Sequence, residues 1–71
     1  MERVDVDSSQ IKSIGHDAET EVLEIEFVSN GAVYQYTGVP EEEFNDLVAA
    51  ASVGRQFNQT IRNKYEYVRT E

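Results

Sequence analysis

Arg55, Asn58, Gln59 and Arg62 recur at i, i+3, i+4 and i+7, the spacing that gathers side chains on one side of an α-helix. With Lys64 just beyond, they form a polar face of net positive charge, suited to hydrogen-bond a phosphate or a carboxylate. The competing role is a solvated helix surface, and Asn58, next to Phe57, has a second competing role in bonding a loop backbone. Tyr34-x-Tyr36 offers two rings on one strand face, the geometry on which unpaired nucleobases stack. Against this, both rings fall on the expected core face, so only Tyr36 is kept as a binding candidate, at a sheet edge that a short helical cover leaves open. His16-Asp17 invites acid–base chemistry, but no nucleophile or second carboxylate accompanies it, and a lone His beside a turn reads as an edge residue. Asp5-x-Asp7 and Glu24-x-Glu26 each place two carboxylates on one strand face; without a cation-loop pattern they read as solubilising charge. No catalytic residue, metal site or cofactor is expected.

Charge is unevenly placed. The chain carries a formal net charge of −8, yet residues 1–50 hold 12 acids and 2 bases while residues 51–71 hold 2 acids and 4 bases. The total disfavours general attraction to nucleic acid or anionic membrane, and the basic C-terminal segment is a local exception. There is no Cys, which excludes disulfides and thiolate metal sites and fits a reducing compartment. A single His excludes a multi-His site. No apolar run of about 20 residues exists to span a membrane, and the acidic start Met1–Asp5 is unlike a secretory signal. A cytoplasmic, monomeric protein is expected, and Asn58-Gln59-Thr60 is then a chance match to a glycosylation sequon.

Seventy-one residues make one domain. Its first half reads as strands. Asn30-Gly31, between Leu23–Val28 and Ala32–Thr37, predicts a two-residue type I′ hairpin. That register pairs Phe27 with Tyr34 and Ile25 with Tyr36. It gathers Leu23, Ile25, Phe27, Tyr34 and Tyr36 on one face and leaves Glu24, Glu26 and Gln35 on an open, largely polar one. Ile11–His16 reads as a weaker strand, turned back by Asp17–Thr20. Pro40 suits the first position of a helix whose first turn is Glu41-Glu42-Glu43. Phe44, Leu47, Val48 and Ala51 form its apolar stripe. Ser52 predicts the N-cap of a shorter helix through Phe57 and Ile61, closed by Asn63, and Tyr65–Arg69 alternates like a short last strand. Phe27, Phe44 and Leu47 are expected at the centre of the core.

Ser9, Ile11, Ile14-Gly15-x-Asp17, Leu23-x-Ile25-x-Phe27, Gly31, Tyr34-x-Tyr36, Val39-Pro40, Ser52-x-Gly54-x-x-Phe57-Asn58 and Ile61 together resemble the KTSC domain, over roughly residues 8–68. That family occurs at the C-terminus of some lysyl-tRNA synthetases and as small stand-alone bacterial proteins. The resemblance implies one compact domain without catalytic residues, with RNA or an RNA-associated protein as partner. A Tyr commonly follows the Gly matched by Gly15, where this chain has His16.

The expectation is therefore an α+β fold: a three-stranded antiparallel meander, two helices packed on one face, and a possible short C-terminal strand. The expected function is a non-catalytic binding or accessory module, RNA-associated, with Arg55, Asn58, Gln59, Arg62, Lys64 and Tyr36 as binding residues. The alternative is a protein–protein module using the acidic open sheet face.

Overall fold

The computed structural model describes all 71 residues. The strands are β1 (Val4–Asp5), β2 (Ile11–Asp17), β3 (Val22–Phe27), β4 (Val33–Tyr36) and β5 (Tyr67–Arg69); α1 (Glu41–Ala49) and α2 (Val53–Thr60) lie between β4 and β5. All five strands form one antiparallel sheet in the order β1-β2-β3-β4-β5. The expected three-stranded meander is thus its centre, and the last strand is present. β1 was not anticipated, because two exposed residues carry no alternation.

The hairpin differs from expectation. Leu23 faces Tyr36 and Ile25 faces Tyr34, a shift of two residues. A type I′ turn needs positive φ at both central residues, and here only Gly31 has it, at +68°. Asn30 instead uses its side-chain oxygen to accept the Ala32 N–H at 3.0 Å. The connection becomes the four residues Val28–Gly31, closed by Phe27 N–H to Ala32 O at 3.0 Å and Gly31 N–H to Phe27 O at 3.1 Å. Because side chains alternate with period 2, an even slip leaves every face assignment intact, and both tyrosines stay on the helix-covered face.

β2 looked weak in the sequence because it is bulged. Its register with β3 shifts between Ile11 and Ser13, so Ile11 and Ile14, three residues apart, both reach the core and are fully buried. They join Leu23, Ile25, Tyr36 and Val39 from the sheet side and Leu47, Val53, Phe57 and Ile61 from the helices. Phe27 and Phe44 pack against this cluster but are only half-buried, so the centre belongs to Phe57 and Leu47. Val48 faces solvent within α1, and Ala51 does so because the helix ends at Ala49, before the stripe completes a further turn. Pro40 is the N-cap of α1, not its first helical residue. Ser52 caps α2 as expected, accepting the Arg55 N–H at 3.4 Å. No helix is long and apolar enough to cross a membrane.

The sheet face away from the helices is not open. β1 lays Arg3 across it, where the guanidinium pairs with Glu24 and donates to Ser13 Oγ at 3.0 Å. Ser13 in turn donates to Glu26 at 2.8 Å, and Gln35 donates to the second Glu24 oxygen at 2.9 Å. Glu24 is buried as a result. Burial by itself would raise its carboxyl pKa; the hydrogen bonds from Gln35 and Arg3, with the Arg3 charge, outweigh that and hold it below the ordinary value. Gly15 permits the crossing, because a Cβ there would lie 2.5 Å from the Glu2 carbonyl oxygen.

Candidate functional site

β4 and β5 place three tyrosines side by side. Tyr36 is buried, edge-on to Phe57 at 5.5 Å. Tyr34 is half-buried, edge-on to Phe27 at 5.4 Å. Tyr67, opposite Tyr36 in the sheet, stacks on Tyr34 at 5.2 Å and lies 5.3 Å from Tyr36. The helices stop short of this edge, so Tyr67 remains 54% exposed.

The rings form the floor of a groove of about 690 Å³, within the size range of small-ligand sites. Gln10, Asn30, Arg62 and Asn63 supply polar groups along its rim. The chain has 14 acidic residues, yet none lines this groove. Burial first, and then the neighbouring Tyr67 and Tyr34, push the Tyr36 phenol up to about 12, with Arg62 pulling the other way. Tyr36 is therefore a neutral phenol at any physiological pH.

The helical face expected from the sequence is divided. Arg55 and Gln59 are exposed on α2. Asn58 is exposed too, but exchanges two hydrogen bonds with the Gln10 amide at 3.3 and 3.4 Å, which joins α2 to the chain entering β2. α2 ends at Thr60, two residues earlier than the spacing implied, and the Ile61 and Arg62 N–H groups both bond back to Phe57 O. That turn carries Arg62 and Asn63 off the helix to the groove. Lys64 lies beyond it, paired with Glu43 at 3.3 Å and 5.4 Å from the Tyr65 ring centre. Of the six candidates, Arg62 and Tyr36 meet at one site, Arg55 and Gln59 stay on the helix, and Asn58 and Lys64 have intramolecular partners.

His16 and Asp17 do not form an acid–base pair. The His16 ring lies flat on Phe44 at 5.2 Å with Nε2 2.7 Å from Val39 O, and Asp17 accepts the Glu19 N–H at 3.0 Å. Nowhere do three or more His, Asp or Glu side chains cluster to hold a metal.

The C-terminal motif residues now have physical roles. Ser52 caps α2, and Gly54 lets its first turn approach the Gln10 and Ser8 side-chain oxygens, which a Cβ would meet at 3.1 and 3.3 Å. Phe57 fills the core and Asn58 clasps Gln10. The sequence model of the KTSC domain matches residues 7–65. This chain belongs to the KTSC domain family. A KTSC domain protein from Yersinia pestis superposes with a TM-score of 0.94 at 40% identity, over 99% of this chain and 97% of that one. An uncharacterized protein of Stutzerimonas stutzeri is 44% identical over the full length of both. A lysine–tRNA ligase of Nostoc punctiforme is 39% identical over 86% of this chain, but over only 11% of its own length. KTSC domains thus occur alone and as a small part of a tRNA ligase.

Sequence reasoning missed Tyr67, Asn63 and Gln10 as site residues. The alternation of Tyr65–Arg69 was legible, and pairing it with Tyr34-x-Tyr36 would have brought Tyr67 beside the other two rings.

Proposed function

We propose that this KTSC domain is a non-catalytic accessory module that holds single-stranded RNA at the groove between β4, β5 and the exit of α2. One observation carries the reading: Arg62 meets the tyrosine row in a groove without a carboxylate, on a chain of net charge −8. Over most of the surface an anionic strand meets like charge, and here it meets a guanidinium without an intramolecular ion pair. The Debye length at physiological salt is about 8 Å, so distant acids weaken the local attraction without abolishing it. Arg55 and Gln59, further back along α2, extend the set of donors. The lysine–tRNA ligase relative supports an RNA-associated setting.

One or two phosphate contacts give a salt slope of about −0.7 to −1.4 on single strands. The test is an NMR titration of the full chain with a mixed-sequence RNA hexamer at low salt. Shifts centred on Tyr36, Arg62 and Asn63, lost in Arg62→Glu, are expected. Shifts confined to Glu24, Glu26 and Gln35, or none, refute the reading.

A further inference from the structure

We infer that Tyr67 is the stacking platform of a single-nucleotide subsite: one unpaired nucleobase lies on its ring, with the adjoining phosphate on Arg62. This rests on the RNA reading and specifies which part of the strand enters the groove.

Tyr67 differs from the other aromatic residues on this face. Phe57 and Tyr36 are 1% and 2% exposed and belong to the core, whereas Tyr67 is 54% exposed and outside it. A ring half in water and held in place by neighbouring rings offers π surface on which a base can stack. Its orientation is fixed twice, by the β4–β5 ladder opposite Tyr36 and by the stack on Tyr34, tilted by 21°. The platform is thus preorganised, and a base that lands on it need not order it first.

Charge and polarity select the ligand. The rim carries one cation, no carboxylate, and the side-chain amides of Asn30, Asn63 and Gln10. Asn63 offers both a donor and an acceptor and Asn30 adds its amide N–H, which suits the mixed edge of a nucleobase. A purely apolar ligand would leave Asn63 and Arg62 without partners, whereas Gln10 already bonds Asn58 and Asn30 already accepts the Ala32 N–H. A single guanidinium in the groove supplies one phosphate contact, which matches one nucleotide.

The test uses the full-length chain with two probes, adenosine 5′-monophosphate and the mixed-sequence RNA hexamer, and two variants, Tyr67→Ala and Tyr67→Phe. Both variants are expected to fold, since Tyr67 lies outside the buried cluster. The mononucleotide should give saturable shifts at Tyr34, Arg62, Asn63 and Tyr67. Tyr67→Ala should weaken both probes by about 5- to 140-fold, the range for loss of one base–aromatic stack, while Tyr67→Phe binds like the parent. Hexamer binding that is indifferent to Tyr67→Ala overturns the subsite and leaves the RNA reading standing. Mononucleotide binding at Tyr67, with a hexamer that binds no tighter and touches no further residue, supports the subsite and refutes the RNA reading. No groove shifts with millimolar mononucleotide overturns the subsite.

Discussion

Replacing Gly15 by Ala should detach β1 from the sheet. The new Cβ would sit 2.5 Å from the Glu2 carbonyl oxygen, 3.0 Å from Arg3 Cγ and 3.2 Å from Met1 Cγ, where ordinary contact begins at 3.4 Å. The backbone oxygen cannot rotate away as a side chain could, so the strand must retreat by roughly 0.9 Å. A movement of that size stretches the 3.0 Å bond from Arg3 to Ser13 beyond useful range and loosens the Arg3–Glu24 pair. A charged hydrogen bond of this kind contributes about 1.5–3 kcal/mol. Water that reaches Glu24 as β1 leaves offsets part of the loss, so about 1–2 kcal/mol is expected. With a urea m-value of about 1 kcal/mol/M for so small a domain, the unfolding midpoint falls by about 1–2 M. The assay pairs urea unfolding with amide shifts: residues 1–5 should move toward random coil while Leu47 and Phe57 keep native shifts. An unchanged midpoint with β1 still paired would refute the claim that Gly15 exists to admit the crossing strand.

Phe57→Ala should cost about 3–5 kcal/mol, comparable to the whole stability of a domain this small, and leave a largely unfolded spectrum; a dispersed, thermally unchanged spectrum would contradict its central place. The Glu24 carboxyl is held below its ordinary value, so its contribution is complete above the unfolded pKa of about 4.3 and is lost as pH falls through the folded pKa. Thermal melts should therefore separate the parent from Arg3→Ala at pH 7 and converge at acid pH, and a pH-independent gap would remove the ion pair from the explanation. Asn58→Ala should cost no more than about 1 kcal/mol, because the amide pair with Gln10 is exposed, and calorimetry can check it.

The pairing of β3 with β4, the helix order and the Ser52 cap were legible because each depends on local chemistry: β-branched alternation, an acidic first helical turn, a hydroxyl before a helix. The exact register was not, since the Asn-Gly signal assumes that Asn30 takes positive φ, and its side chain found a hydrogen bond that made this unnecessary. β1 escaped because it is held by a two-residue ladder to β2 and by long-range contacts of Arg3, although a lone Arg upstream of a Glu-x-Glu strand was a usable sign. The helical basic face was over-extended for a related reason. Periodicity carries on past the residue where a helix stops, and Arg62 left α2 at a turn that sequence spacing does not mark. Tyr36 was expected at the sheet edge, but β5 covers β4 and buries that ring, and the exposed ring at the edge is Tyr67, 31 positions later.

The most direct measurement is the salt dependence of RNA hexamer affinity for the parent chain and for Arg62→Ala. The account predicts a parent slope of about −0.7 to −1.4, made shallower by about 0.7 when Arg62 is removed, because one phosphate contact has been lost. Identical slopes for the two proteins would contradict it.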